Sequence, residues 1–306
     1  MKPKVSVCIP VYNVERFIAR CIQSIQQQSL EDIEIIVVND CTPDKSMDIV
    51  HSLAVNDSRI KIIDHDENHG PMVARKNGYM AATGDYITFC DSDDTLPKDA
   101  LYELYTAAVR EDADIVSGTI EYVTIEGKTY RWVNKLLYGT DKISVFKSLL
   151  KNEFGHNVCS KLFRKELLCS FSYNTYKHAT NGEDGMLFYQ VIDNASKVIA
   201  IDSIVYEYHE NDSSSTHIHL SQKAIDNIVL CNKIREDICS KYDELKKLMF
   251  KRICINLYSY YACGYRVELK CSLNKYNMNQ YLNKLKMFRY LGLYDMFKIL
   301  LKRFSH

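Results

Sequence analysis

The sequence predicts an α/β fold with a mostly parallel central sheet and helices on both of its faces. Over the first 120 residues, short apolar runs alternate with longer segments whose apolar residues recur at helical spacing. Strands that are joined by helices usually pair in parallel and are covered on both sides. The chain has 306 residues, of which 46% are hydrophobic and 25% charged, so a large core is available and disorder is excluded.

Each element of this alternation has its own local signal. Strands are predicted where an apolar run ends in polar, turn-forming residues, over residues 5–11, 33–38, 60–63, 86–90 and 115–116. Helices are predicted where apolar residues recur every three or four positions, over residues 14–28, 47–53, 72–82 and 98–111. Residues 121–210 mix short strands and helices, and helical spacing returns from Ser221 onward. We therefore expect three parts, covering residues 1–120, 121–220 and 221–306.

Charge and cysteine content exclude several classes of protein. The 39 basic and 39 acidic residues balance, so nothing indicates a nucleic-acid partner. The 11 cysteines include no pair at CxxC spacing and no zinc-site pattern with histidine. The first residues run directly into a strand without a signal-peptide core, and no apolar run approaches the roughly 20 residues of a membrane span. We therefore expect a cytoplasmic protein with reduced thiols.

Positive charge is concentrated at the end of the chain, where residues 266–306 contain nine basic and two acidic residues. Between residues 281 and 304, apolar and aromatic side chains are interspersed with lysines and arginines. This mixture is typical of a helix that lies on an anionic membrane surface. The alternative is that the apolar residues pack on the rest of the protein and the basic residues are solvated.

Polar residues follow three of the predicted strands, where ligands of parallel sheets bind. Tyr12 and Asn13 follow the first strand, Asp40 the second, and residues 91–94, Asp-Ser-Asp-Asp, the fourth. Three carboxylates within four residues repel one another unless a cation is present, and Mg²⁺ or Mn²⁺ prefers such oxygen ligands. This loop therefore indicates a metal site for a nucleotide diphosphate. The alternative is a solvated turn that caps the following helix.

Five segments, in this order, resemble the motifs of family 2 glycosyltransferases. The opening strand ends in Pro-x-Tyr-Asn, and the second strand leads into an Asp-x-x-x-Asp turn. An Asn-x-Gly motif then precedes an Ala-Arg-Lys-Asn-Gly segment. A Gly-Asp-Tyr strand then leads into the DxD loop, and an acidic Glu-Asp pair lies later in the chain. These segments cover residues 5–13, 35–44, 68–78, 84–94 and 181–188. The resemblance is strong over residues 4–119 and is absent beyond about residue 216.

The resemblance implies the GT-A fold, with a nucleotide-sugar-binding half over residues 1–120 and an acceptor-binding half over 121–220. Residues 221–306 would form a helical extension. Two departures lie near the expected nucleotide: Cys41 and Thr42 replace Gly-Ser, and Lys76 replaces an asparagine. Processive members carry a Gln-x-x-Arg-Trp motif and membrane helices, whereas this chain has Lys128 at the glutamine position. Single addition is therefore the better interpretation.

The resemblance also assigns the donor side of the site. Nucleotide contacts are expected from Pro10, Tyr12, Asn13, Asp40, Arg75, Asp91 and Ser92. Tyr12 would stack on the uracil ring, and Asp40 would accept the imide N–H. Asp93 is expected to bind Mn²⁺ or Mg²⁺ directly, with Asp91 facing the ribose or a metal-bound water. His209 is expected to be a further metal ligand or a phosphate donor.

On the acceptor side, transfer needs a group that removes a proton from the attacking hydroxyl. The resemblance assigns this role to Asp184, with Glu183 as the alternative, and implies inversion at the anomeric carbon in one displacement. From composition alone, the two acids would be an ordinary helix-start pair. Lys161 is expected beside the acceptor, and a solvated lysine is the alternative.

These expectations combine into one predicted activity. The chain would transfer a hexose or N-acetylhexosamine from a UDP-sugar to a glycan or lipid-linked acceptor, in a bacterial capsule, exopolysaccharide or lipopolysaccharide pathway. The membrane-binding tail would bring the site to a lipid-linked acceptor at the inner face of the cell membrane. Two rivals remain: a nucleotidyltransferase, whose glycine-rich opening loop is missing here, and a non-catalytic sugar-binding or scaffold protein. The sequence does not specify the oligomeric state.

Overall fold

The computed structural model describes residues 2–132, 139–211 and 220–282. Its strands are β1 Val5–Val11, β2 Ile33–Asn39, β3 Ile60–Asp64, β4 Tyr86–Phe89, β5 Ile115–Val123, β6 Thr129–Trp132, β7 Lys161–Arg164 and β8 Val198–His209. Its helices are α1 Ile18–Gln26, α2 Ser46–Ala54, α3 Pro71–Ala81, α4 Ala100–Glu111, α5 Lys142–Leu150, α6 Lys165–Cys169, α7 Glu183–Asn194, α8 Gln222–Cys239, α9 Asp243–Ala262 and α10 Arg266–Lys275. A 3-10 helix follows at Asn279–Leu282.

The eight strands of the described residues form one sheet in the order β3-β2-β1-β4-β7-β5-β6, and β8 also pairs with β5. The β1–β2, β1–β4, β2–β3 and β5–β8 pairs are parallel, whereas β7 is antiparallel to both β4 and β5. The α/β prediction is confirmed, and the sheet is mixed beyond β4. The mixed part arises because β5 turns back directly into β6 as an antiparallel hairpin.

The first four strands were predicted within one residue of their bounds, because each is a mainly apolar run, and β1, β2 and β4 are buried on both faces. Helix α1 begins four residues later than predicted, since the backbone N–H groups of Phe17 and Ile18 both donate to the Val14 carbonyl in a turn. Strand β5 extends to Val123 rather than ending near Val116, because its second half pairs with β6 and β8. Since β1, β2 and β4 are parallel neighbours, their carboxyl ends lie together at one edge of the sheet.

The helical extension predicted from Ser221 is present as α8 to α10, and it packs on the rest of the protein. Helix α8 lies against α7, and the Asn227 amide donates to the Thr180 carbonyl at 2.9 Å. Met278 and Tyr281 are buried, and the Tyr281 hydroxyl donates to the Glu236 carboxylate at 2.6 Å. Within the described residues, no helix combines the length and hydrophobicity that crossing a membrane requires. The basic segment from residue 283 onward lies outside the described residues.

Candidate functional site

A cavity of about 710 Å³ opens at the carboxyl ends of β1, β2 and β4. Its volume lies within the range of pockets that hold small-molecule ligands. Eight residues predicted from the sequence line it, namely Pro10, Tyr12, Asn13, Asp40, Arg75, Asp91, Ser92 and Asp93. The strand ends therefore meet as expected, and we call this space the strand-end cavity.

The end of β1 presents an exposed aromatic ring to the strand-end cavity. Tyr12 is 48% exposed, although it directly follows a strand in which every residue except Pro10 is buried. Asn13 has a φ of 57°, and its backbone N–H donates to the Thr42 hydroxyl at 2.7 Å. This turn ties the end of β1 to the loop after β2. An exposed ring on a fixed turn suits the stacking role predicted for Tyr12.

Asp40 lies at the end of β2, where its buried carboxylate organises the loop before α3. It accepts hydrogen bonds from the backbone N–H groups of His69 and Gly70, at 2.9 and 2.8 Å, and contacts His65 Nδ1 at 2.7 Å. Gly70 has a φ of 88°, and a Cβ there would lie 2.7 Å from the His178 Cα. A carboxylate has about four lone-pair positions, so one further donor still fits. The uracil contact of Asp40 stays a prediction.

The three carboxylates after β4 have different environments. Asp91 accepts from Arg75 at 2.7 Å and from the Cys159 thiol at 3.3 Å. Asp93 is partly exposed in the strand-end cavity and accepts from the Asn211 amide at 2.9 Å. Burial and the neighbouring Asp91 raise the pKa of Asp93. Asp93 is therefore the partly exposed carboxylate of this loop that lines the cavity without the arginine partner of Asp91 or the deep burial of Asp94.

Asp94 does not cap the following helix, contrary to the alternative raised from the sequence. It is 1% exposed and accepts from the Tyr206 hydroxyl at 2.6 Å and from the His209 backbone N–H at 2.8 Å. The residue before α4 is Asp99, five positions further on. Burial and the adjacent carboxylates Asp93 and Asp91 raise the pKa of Asp94 well above its usual range. Asp94 thus connects the DxD loop to β8.

His209 lies at the end of β8, beside the DxD loop. Its Nε2 is 2.7 Å from the Thr95 hydroxyl, and that hydroxyl donates to the Glu207 carboxylate at 2.6 Å. Because Thr95 has a single hydroxyl proton, His209 must donate through Nε2, which leaves the Nδ1 lone pair as its acceptor. Burial, together with nearby Arg20, lowers the pKa of His209. The metal or phosphate contact of His209 stays a prediction.

Arg75, on α3, joins the donor and acceptor sides of the site. It is 4% exposed, and its two terminal nitrogens lie 2.7 Å from Asp91 and 3.0 Å from Asp184, with Glu183 at 3.7 Å. Although burial opposes it, the nearby Asp91 and Asp184 raise the pKa of Arg75 well above its usual value. The charge of Arg75 therefore holds the DxD loop and the Glu-Asp pair together.

Glu183 and Asp184 form the first turn of α7, after Gly182 at a φ of 111°. Asp184 Oδ2 accepts the Val158 backbone N–H at 3.2 Å, whereas its Oδ1 accepts no hydrogen bond from the described residues. Burial raises the pKa of Asp184, and burial with the adjacent Asp184 raises the pKa of Glu183 to about 7. Both carboxylates thus have a raised affinity for a proton, as a general base requires.

Lys161 is fully buried, so the solvated alternative is wrong. Its Nζ donates to the Asn157 amide oxygen at 3.2 Å and lies 5.3 and 5.0 Å from the ring centres of Phe154 and Phe188. Burial lowers the pKa of Lys161 to about 7. Lys161 does not line the strand-end cavity, and its Nζ lies beside Phe188 of α7. The acceptor contact of Lys161 stays a prediction.

Several residues of the site were not predicted from the sequence. His178, Thr180 and Tyr208 also line the strand-end cavity, and Lys223 reaches it from α8. Tyr206 bridges the DxD loop by accepting from the Asp91 backbone N–H and donating to Asp94. Tyr206 and Tyr208 alternate on β8 beside His209, which was a usable signal. No sequence signal marks Lys223, because its position at the cavity depends on how the helical extension packs.

Replacing Glu183 by glutamine is expected to stabilise the fold at high pH. A carboxyl whose pKa is raised by folding binds its proton more tightly in the folded state than in the unfolded state. Ionising Glu183 therefore lowers the free energy of unfolding. This loss is absent below about pH 4.5 and complete above about pH 7. For a shift from 4.5 to about 7 the gain is at most about 3.5 kcal/mol, at about 1.4 kcal/mol per pKa unit. Urea unfolding of both proteins at pH 5 and pH 8 measures it. A gain independent of pH would contradict the assignment.

The comparisons with known proteins agree with this geometry. The sequence model of Glycosyl transferase family 2 matches residues 6–170. The uncharacterized glycosyltransferase EpsJ of Bacillus subtilis is 35% identical over 222 residues, which are 71% of this chain and 64% of EpsJ. The glycosyltransferase GlyA of Streptococcus pneumoniae is 32% identical over 224 residues, which are 70% of this chain and 32% of GlyA. The chain therefore spans less than two thirds of the length of either relative.

Solved structures show the same fold. The crystal structure of S. aureus TarS 1-349 in complex with UDP-GlcNAc superimposes with a TM-score of 0.75 at 16% sequence identity, covering 98% of this chain and 89% of that one. This likeness confirms the predicted GT-A fold. Because the family match extends over more than half of its residues, the chain belongs to glycosyl transferase family 2.

Proposed function

We propose that this protein is an inverting, divalent-metal-dependent glycosyltransferase that moves a hexose or N-acetylhexosamine from a UDP-sugar to a glycan or lipid-linked acceptor. The observation that carries the proposal is the contact of Arg75 with both the DxD loop and the Glu-Asp pair. It holds the proposed diphosphate-binding loop and the proposed proton acceptor on opposite sides of one guanidinium group. Glycosyl transfer needs both groups, held in line with the anomeric carbon.

The donor would bind in the strand-end cavity. Tyr12 supplies an exposed ring for the uracil face, and Asp40 supplies an acceptor for its imide N–H. Asp91 and Asp93 line the same cavity and would face the ribose and the diphosphate. The TarS complex with UDP-GlcNAc supports a UDP-sugar as the donor class, and the fold is what the two proteins share. The identity of the sugar depends on loop shape.

The donor set of the cavity fits a metal ion that is bound jointly by protein and substrate. Within the described residues, no three His, Cys, Asp or Glu side chains lie close enough to hold a metal. Mg²⁺ is commonly held by one or two carboxylates with substrate phosphates and water. Asp93 would be the direct ligand, since it is partly exposed in the cavity, whereas Asp91 is paired with Arg75 and Asp94 is buried. The bound metal would neutralise charge on the leaving diphosphate.

On the acceptor side, Asp184 would take the proton of the attacking hydroxyl. Its buried Oδ1 lies 3.0 Å from Arg75 and accepts no hydrogen bond from the described residues, so it keeps a lone pair for the proton. Attack opposite the leaving group, assisted by one base, would invert the anomeric centre without a covalent intermediate. Arg75 would keep Asp184 oriented. Glu183 remains the alternative base.

A panel of UDP-sugars tests this proposal. The full chain is incubated with Mn²⁺ or Mg²⁺, each UDP-sugar and a set of glycan and lipid-linked acceptors, and released UDP is measured. We expect metal-dependent UDP release with one sugar, one sugar added per acceptor, and an anomeric configuration opposite to that of the donor by NMR. Retained configuration would contradict the inverting mechanism. Release of pyrophosphate would favour the nucleotidyltransferase, and no turnover with any donor would favour the scaffold.

We propose a cytoplasmic location, with contact to the inner face of the cell membrane through the basic tail. The buried residues of the described part determine where the tail must be cut to test this contact. Since Met278 and Tyr281 are buried, a truncation after Leu282 keeps the packed residues and removes residues 283–306. We expect the full chain to sediment with anionic vesicles and the truncated chain to remain in solution, with salt weakening the binding. Equal binding of both chains, or indifference to salt, would contradict the proposal.

A further inference from the structure

A second cavity, of about 200 Å³, lies against the start of α7. It is lined by residues from four places in the chain, among them His156, Asn181, Arg235, Arg252, Asn256 and Tyr260. We call it the arginine pocket. Its volume is below the roughly 300 Å³ of pockets that hold whole small-molecule ligands. It therefore fits one functional group of a larger molecule.

The arginine pocket contains two guanidinium groups without a carboxylate partner among residues 2–132, 139–211 and 220–282. Arg235 is 4% exposed, lies 4.9 Å from the ring centre of Tyr189, and has a buried Nε that no described residue accepts from. Arg252 is half-buried and donates to the Asn152 amide oxygen at 2.7 Å. Arg235 also donates through Nη1 to the Asn232 amide oxygen, so these hydrogen bonds go to neutral groups. A buried charge that no opposite charge neutralises is unfavourable. An anion in the pocket would relieve this cost.

The positive charge of the two arginines also lowers the pKa values of groups in the pocket. Burial and the charges of Arg235 and Arg252 lower the pKa of His156 to about 3. Burial and Arg235 also lower the pKa of Arg252. Neutral His156 adds a polar group to the pocket without compensating its charge. The pocket is thus suited to a negatively charged ligand.

The arginine pocket adjoins the proposed base. Asn181 and Gly182 line it, whereas the preceding residue, Thr180, lines the strand-end cavity. The His156 ring also lies 3.2 Å from where a Cβ on Gly185 would be, one residue after Asp184. The segment that carries the base therefore separates the two cavities. A ligand group in the arginine pocket would reach the base from the side away from the donor.

We propose that the arginine pocket binds a phosphate group of the acceptor, an assignment that rests on the glycosyl transfer proposed above. Paired guanidinium groups are well suited to phosphate, because their N–H donors match its oxygens in two-point hydrogen bonds. Half-buried Arg252, Asn256 and Tyr260 give the group access from solvent. The phosphate belongs either to a phosphodiester of a glycan or to the diphosphate of a lipid carrier.

Calorimetric titration with inorganic phosphate tests the pocket without requiring turnover. The full chain is titrated in the presence of saturating UDP and Mg²⁺, so that the strand-end cavity does not contribute. We expect Arg252→Gln to weaken phosphate binding at least about tenfold, which is about 1.4 kcal/mol. Lys247→Gln removes one exposed charge from the same helix and is the matched control, with affinity expected within about twofold of wild type. Equal phosphate binding by wild type and Arg252→Gln would overturn the proposal.

Turnover with matched acceptors distinguishes the two phosphate sources. One glycan is prepared with a phosphodiester, with a lipid diphosphate, and with neither group. We expect Arg252→Gln to raise KM about tenfold for the acceptor that carries the correct phosphate, while KM for the donor stays within about twofold. Arg252→Lys keeps the charge and is expected to lie between the two proteins, which guards against a folding defect. Equal KM for phosphorylated and phosphate-free acceptors would contradict the assignment. If no acceptor turns over, the proposed function fails while the phosphate titration still stands.

Discussion

Asp93→Ala is expected to reduce glycosyl transfer at least about a thousandfold, because it removes the proposed metal ligand and a bound metal contributes several kcal/mol to stabilising the leaving charge. The fold is expected to survive. Asp93 is partly exposed, its carboxylate accepts one side-chain hydrogen bond, and burial already raises its pKa, so its charge does not stabilise the folded state. Turnover and thermal melting are measured on the same preparation.

Asp202→Ala is the matched control for this substitution. Asp202 is exposed on β8, and its loss removes one carboxylate without touching the strand-end cavity. We expect its turnover to equal that of wild type within about twofold, the usual range for surface substitutions. If Asp93→Ala kept activity within about tenfold of wild type, a barrier change of only about 1.4 kcal/mol, Asp93 would not be the metal ligand.

Asp184→Asn is expected to lower kcat by about 10² to 10⁴, the usual contribution of a general base. Asparagine keeps the size of the side chain and can still accept the Val158 N–H, but it does not take up a proton at neutral pH. UDP affinity should remain within about threefold of wild type, because the base acts on the acceptor. Arg75 keeps Asp91 and Glu183 as partners in this variant.

Glu183→Gln provides the comparison within the carboxylate pair. It removes the adjacent charge while leaving Asp184 intact, so we expect turnover to persist with a shifted pH profile. The pH dependence of kcat/KM in the wild type should show activity rising as the base loses its proton. An inactive Glu183→Gln together with an active Asp184→Asn would reverse the assignment within the pair.

The strand half of the fold was predictable because it depends on local pattern. Apolar runs such as Val5–Val11 and Ile33–Asn39 are buried on both faces, and their nearly continuous apolar composition predicts this burial. Strands β5 to β8 were harder to predict. Strand β8 is half-buried over most of its length, and its pairing with β5 contains register shifts, so its position in the sheet depends on distant partners.

The candidate site divides in the same way. Residues at strand ends, such as Tyr12, Asp40 and Asp91, were predicted because topology alone brings strand ends together. Two features required the tertiary structure. The contact of Arg75 with Asp184 joins residues more than a hundred positions apart, and Lys161 is buried between two aromatic rings although its sequence context resembles a surface. No local signal reports such distant packing.

Calorimetric titration of the full chain with UDP, with and without Mn²⁺ or Mg²⁺, tests the central claim most directly. The claim is that the strand-end cavity binds a uridine diphosphate together with a divalent metal. We expect UDP to bind more tightly with metal than without it, and more tightly than ADP or GDP, because Tyr12 and Asp40 suit uracil. Asp93→Ala should remove the metal dependence and leave metal-free binding intact. Metal-independent UDP binding in the wild type, or no UDP binding at all, would contradict the account.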